Sequence, residues 1–134
     1  MAYSIHIHQD AWDDLEALWA DPGTEEAAAA IDVLLQEIEC DQDLLDALTA
    51  HDYGANKTKK FHVSKWLEYW RNGANIWRLK IWELEKVKLN YRVIYAYEIK
   101  EQKYHVLAVV PREFDYDTEH PISRRIMAVY ATIR

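Results

Sequence analysis

Ile76-Trp-Arg-Leu-Lys-Ile-Trp82, Asn90-Tyr-Arg-Val-Ile-Tyr-Ala-Tyr-Glu-Ile99 and Lys103-Tyr-His-Val-Leu-Ala-Val-Val110 follow one another in the second half of this chain. Each is rich in β-branched and aromatic residues, and the links between them are short. That pattern predicts three strands joined as antiparallel hairpins. Pro111 ends the third, because proline has no N–H for a ladder. Upstream, Tyr3, Ile5 and Ile7 alternate with Ser4, His6 and His8, the period of a half-buried strand.

Helical spacing fills the rest. Asp10 can cap a helix whose stripe is Trp12, Leu15, Leu18 and Trp19. Asp21-Pro22-Gly23-Thr24 breaks it. Ile31, Leu34, Leu35, Ile38, Leu45 and Leu48 continue at helical intervals, and Asp41-Gln42-Asp43 leaves open one long helix or two. Cys40 follows this apolar pattern and reads as a small buried residue; as the single cysteine it excludes an intrachain disulfide and a cysteine-based zinc site. His51 to Lys60 reads as a polar loop, Ser64 as the cap of a short helix carrying Trp66, Leu67 and Trp70, and Asn72-Gly73 as a turn. Pro121 can open a last helix with Ile122, Ile126, Val129, Tyr130 and Ile133 on one face. At 134 residues, half of them apolar, one domain is expected over residues 1–134. Its class is α+β: a small, twisted, mostly antiparallel sheet with two N-terminal helices and a C-terminal helix.

Charge is distributed unevenly. The first 54 residues hold 14 acids and no Lys or Arg, a formal −14; the remaining 80 hold 16 Lys and Arg against 9 acids, a formal +7. The overall −7 hides a basic half suited to a polyanion. The chain opens without a basic or apolar leader and has no apolar run long enough for a span, which points to the cytosol and to no membrane partner. There is no phosphate-binding loop, dinucleotide glycine motif, zinc spacing, or Ser or Cys nucleophile signature.

Trp77-Arg-Leu-Lys-Ile, then Tyr91-Arg-Val-Ile-Tyr, then Val109-Val-Pro-Arg-Glu-Phe-Asp-Tyr116 resemble the RelE/ParE superfamily, the toxins of type II toxin–antitoxin modules. The opening strand and first helix fit the family's start, and residues from about 50 to 74 look like an insertion. The resemblance implies a RelE/ParE toxin-like fold and one of two activities. RelE-like members are metal-independent endoribonucleases that cut mRNA, commonly on the ribosome, and inhibit translation. ParE-like members poison DNA gyrase. A degenerate member would only bind a partner protein. In the toxin readings the partner is a cognate antitoxin, and the nuclease adds mRNA and the ribosome; no cofactor is implied.

Carried over residue by residue, Arg78 and Lys80 match the family's basic strand pair and Arg92 its central arginine. Arg112, in the C-terminal basic segment, supplies a second cation, and Tyr116 lies near the family's tyrosine. Metal-free cleavage of RNA needs a base for the 2′-OH, fixed cations around the phosphorane and an acid for the 5′-oxygen. Arg92 is then the phosphate clamp with Arg112 beside it, Lys80 or Glu113 the base, and Tyr116 or His120 the acid or a stacking platform. Pro111 and Phe114 stand where relatives often carry more basic residues. Lys57, Lys59, Lys60 and Lys65, interleaved with Phe61 and Trp66, can track an RNA backbone, although a solvated loop has the same composition. His6 and His8 share a strand face, but with no third ligand in sight they read as surface residues. His51, His62 and His105 carry no information singly. Trp12 and Trp19 read as core.

Overall fold

The computed structural model describes residues 3–114 and 117–133. The sheet has five strands. β1 (Ser4–Ile7) and β2 (Phe61–Lys65) form its edges, with β5 (Lys103–Pro111), β4 (Tyr91–Glu98) and β3 (Ile76–Ile81) between them in the order β1-β5-β4-β3-β2. β1 runs parallel to β5, and every other pairing is antiparallel. The expected α+β class holds, and the sheet is mixed, with the β1–β5 pairing parallel.

Side-chain alternation sends the strands' apolar residues to two different cores. Phe61, Val63, Trp77, Leu79, Ile81, Val93, Tyr95, Tyr104 and Val106 face one way. They are covered by α1 (Gln9–Ala20), α2 (Glu25–Glu39) and α3 (Gln42–Ala47) through residues such as Ala11, Leu15, Ile31, Ile38 and Leu45. Ile76, Ile94, Ala96, Ala108 and Val110 face the other way, under α4 (Leu67–Arg71) and α6 (Pro121–Ile133), which contribute Tyr69, Ile126 and Tyr130. Each fully buried aliphatic side chain is worth about 1.5–3 kcal/mol of transfer free energy. A bulge beside Ile94 and Tyr95 adjusts the register between β4 and β5.

The acidic stretch is two helices after α1, divided where the spacing weakens. Asp41 caps α3, its carboxylate accepting from the N–H groups of Asp43 at 2.9 Å and Leu44 at 3.3 Å. Trp12 and Trp19 are 41% and 43% exposed rather than core. Each lies one residue, about 100° of helix, beyond the positions of Ala11 and Leu18 that meet the sheet. Cys40 is exposed as well, because Ile38, two residues earlier, takes the buried position at the end of α2.

Residues 50–74 are not a loose excursion. Phe61 and Val63 alternate with His62 and Ser64, so the segment forms β2 on the free side of β3, a strand hidden in sequence by the lysines before it. Ser64 lies in that strand and caps nothing; Trp66 occupies the cap position of α4. The preceding loop folds back on the edge: Asp52 N–H donates to Val63 O at 2.8 Å, and Val63 N–H donates to Tyr53 O at 2.9 Å. A further short helix, α5 (Trp82–Lys86), links β3 to β4. Where β1 stops, α1 takes over the edge of β5: Asp14 Oδ2 accepts from Val109 N–H at 2.9 Å and from Arg125 of α6 at 2.8 Å. No helix among the described residues is long and apolar enough to cross a membrane.

Candidate functional site

α4 and α6 cover only part of their face of the sheet. Beyond them the cross-strand register sets His62 opposite Lys80, Lys80 opposite Arg92, and Arg92 opposite Val110, so three cationic or titratable side chains stand in one row across β2, β3 and β4. Directly opposed side chains lie about 4.5–5.5 Å apart at Cβ. Arg78 is two residues from Lys80, on the same face, and its Nε donates to Ser64 Oγ at 2.8 Å. Arg112 follows β5 in a 3-10 turn (Arg112–Phe114) and is exposed.

Lys80 is the centre of this group. Partial burial lowers its pKa below the ordinary lysine value, and the positive charges of Arg92, Arg78 and Arg112 lower it further, while Glu85 acts the other way. Three arginines therefore act electrostatically on one amine, the environment that makes a lysine a readier proton donor. Its Nζ lies 4.7 Å from the centre of the Trp82 ring, and Lys57 Nζ lies 5.2 Å from the same ring. His62 stacks parallel to Trp82, centroids 5.7 Å apart, and its Nε2 is 3.2 Å from Asp52 Oδ1. Trp82 is fixed in turn by its Nε1–H, which donates to Gly54 O at 2.8 Å. An open groove of about 850 Å³ between α2 and α5 runs past this point, lined by Lys57, Trp82 and Glu85 among others.

Arg92 departs from expectation. It is 8% exposed, and its guanidinium is closed on Glu85 of α5, NH1 donating to Oε2 at 2.9 Å and NH2 to Oε1 at 3.1 Å. Its charge is compensated in place, so it does not offer an open clamp for a phosphate. Glu85 was invisible as a partner in sequence because only the helical turn of α5 returns it over β4.

The remaining candidates separate. Lys60 bonds Glu37 of α2 at 3.0 Å, and Lys59 is exposed in the same loop. Lys65 alternates to the opposite face of the sheet, where its Nζ sits 4.5 Å over the Trp70 ring; it is not part of the row. His120 precedes α6, its Nδ1 accepting from Ile122 N–H at 3.1 Å and its ring set edge-on to Phe114 at 5.1 Å. Tyr116 and the side chain of Glu113 lie outside the described residues. His62, Trp82 and Asp52 join the site although sequence reading did not select them. The available signal was the alternation of His62 with Phe61 and Val63, which predicts a shared face once β2 is recognised.

Compared with protein-family models, curated proteins and solved structures, the chain matches none.

Proposed function

We propose that this chain is a RelE-like toxin, a metal-independent endoribonuclease that cuts mRNA and inhibits translation, held in check by an antitoxin protein. The observation that carries the reading is the row His62–Lys80–Arg92 with the charges of Arg78 and Arg112 acting on Lys80. A partly buried lysine among arginines fits proton transfer beside a phosphate. Arg78 and Arg112 supply fixed positive charge for the phosphorane. Trp82, flanked by Lys57 and Lys80, offers a ring on which a base can stack. In this scheme His62 or Lys80 removes the 2′-OH proton, the O2′–P bond forms as P–O5′ breaks, and a protonated neighbour in the row returns a proton to O5′. The acidic helices α2 and α3 cover the opposite face of the sheet, and α2 reaches the edge of the site only as the wall of the groove beside Trp82 and Lys57.

One observation favours a second reading, a non-catalytic member that binds only a partner protein: the closure of Arg92 on Glu85 removes the central arginine from ligand contact. Expression of the protein alone in a bacterium, with mRNA 5′ ends mapped by primer extension, separates the two. Wild type should produce new cuts within translated frames, and Lys80→Met and Arg112→Ala, both on partly or fully exposed side chains, should remove them. Growth arrest with intact mRNA and inhibited supercoiling would instead indicate the gyrase-directed activity. Soluble protein with neither effect would leave the partner-binding member.

A further inference from the structure

Opposite the basic row, at the β1 end of the sheet, three imidazoles gather that the nuclease reading does not use. His6 and His105 are register partners across the parallel β1–β5 pair, and His8 follows β1 at the start of α1. Ring centroids are 4.5 Å apart for His6 and His8, 5.1 Å for His8 and His105, and 6.1 Å for His6 and His105. His8 Nε2 and His105 Nδ1 face each other at 2.8 Å. The other nitrogen of His105, Nε2, is 2.9 Å from Glu98 Oε1. His105 is 7% exposed, so its orientation is set by these two contacts and not by solvent.

We infer that His8 Nε2 and His105 Nδ1 form a clamp for a borderline divalent transition-metal ion of the zinc, nickel or copper class. Such ions take imidazole nitrogen at about 2.0–2.1 Å, which at a tetrahedral angle separates two donors by about 3.4 Å. The pair has only to open by about half an ångström from its present contact for an ion to replace the shared proton. Glu98 already stands as the carboxylate behind a metal-bound histidine stands: it fixes the tautomer that leaves Nδ1 as a lone pair. With His105 Nδ1 held as the acceptor, His8 Nε2–H is the donor in the 2.8 Å contact, and an ion takes its place once that proton moves to the other ring nitrogen of His8. The donors are nitrogen, which selects against calcium and magnesium. Among the described residues no three His, Cys, Asp or Glu side chains are arranged to hold an ion; the clamp is a two-imidazole site, its remaining positions taken by water, with His6 the nearest further donor. A bound ion would join the start of α1 to β5, residues 97 apart in the chain, and stabilise the placement of β1.

The test uses the full chain, stripped with EDTA and titrated with zinc chloride or nickel chloride, read by calorimetry and by the nitrogen chemical shifts of the imidazoles. We expect one ion per chain, a rise in Tm that EDTA reverses, and shifts confined to His8 and His105 with a smaller change at His6. His8→Gln, at a partly exposed position that need not disturb the core, should abolish binding. Glu98→Gln should weaken it by about 10- to 100-fold, and His62→Gln should leave it unchanged. No Tm rise and no shift at His8 and His105 would overturn the inference, as would binding that survives His8→Gln. Because the readout is independent of RNA cleavage, it stands whether or not the protein is a nuclease.

Discussion

Replacing Arg92 by alanine should unfold part of the population before it tells anything about catalysis. The Arg92 and Glu85 side chains are 10% and 18% exposed and share two charge-assisted hydrogen bonds of 2.9 and 3.1 Å. Removing one partner of a buried pair costs about 3–5 kcal/mol because the other charge is left without compensation. Water reaches Glu85 at its exposed edge, which lowers the figure to about 2–4 kcal/mol. With an unfolding entropy of about 2.1 cal/mol/K per residue over this length, that is a fall in Tm of about 7–14 °C. The Arg92→Met, Glu85→Met double variant removes both charges and keeps apolar bulk, so it should return to within about 1–2 kcal/mol of wild type. Urea unfolding of wild type, both single variants and the double variant closes the cycle. A single Arg92→Ala variant within about 0.5 kcal/mol of wild type, or a double variant as unstable as the sum of the singles, would refute the view that Arg92 is a structural cation. Loss of toxicity in Arg92→Ala is therefore interpretable only beside this measurement.

Lys80→Met should abolish RNA cleavage while making the fold slightly more stable at pH 7. A lysine whose folded pKa is depressed opposes folding at every pH below that depressed value, and the penalty fades as pH rises from there to about 10.4. The stability difference between variant and wild type should accordingly shrink in thermal melts taken through that alkaline window; a constant difference contradicts the depressed lysine. Tyr95→Phe removes the buried hydroxyl that donates to Leu48 O at 2.7 Å and should cost about 1–2 kcal/mol in urea unfolding, a neutral result excluding the bond. Gly54→Ala should be worse than either: the backbone has φ +77°, and an added Cβ would lie 1.9 Å from Phe61 O. Since Gly54 O also holds Trp82, the variant should lose tryptophan order near the row, seen as a change in fluorescence, and unchanged emission and Tm would count against the tight turn.

The strands β3, β4 and β5 were legible because each is a continuous β-branched and aromatic run whose pairing is local. β1 was legible as a strand, but its parallel partner was not, since alternation states which face is buried and not which strand lies beside it. β2 was missed because Lys57, Lys59 and Lys60 set a polar context around a five-residue alternation. At the site, Arg78 and Lys80 were selected as the basic strand pair that the resemblance implies, and the structure sets both on the face of the sheet that carries the row. Arg92 was selected as a clamp from its place in the motif; nothing in the strand itself announces that Glu85, seven residues earlier and on another element, closes on it. His8 and His105 escaped for a similar reason, being distant in sequence and joined only by the β1–β5 pairing.

That pairing also has a consequence for synthesis. Ser4 is opposite Lys103, so β1 has no partner until about 100 further residues have been made. At about 5–20 residues per second the wait lasts on the order of 5–20 seconds, with Ile5 and Ile7 uncovered and a strand edge open to any neighbour. In the first part of that interval, before Lys57, the nascent chain is the part with 14 acids and no Lys or Arg, and like charge keeps such chains apart. The acidic segment then serves as a built-in solubiliser for an unfinished sheet. Chains truncated before Lys103 should be degraded rapidly by protease yet stay soluble, whereas the same truncations with the acids of α2 changed to their amides should aggregate.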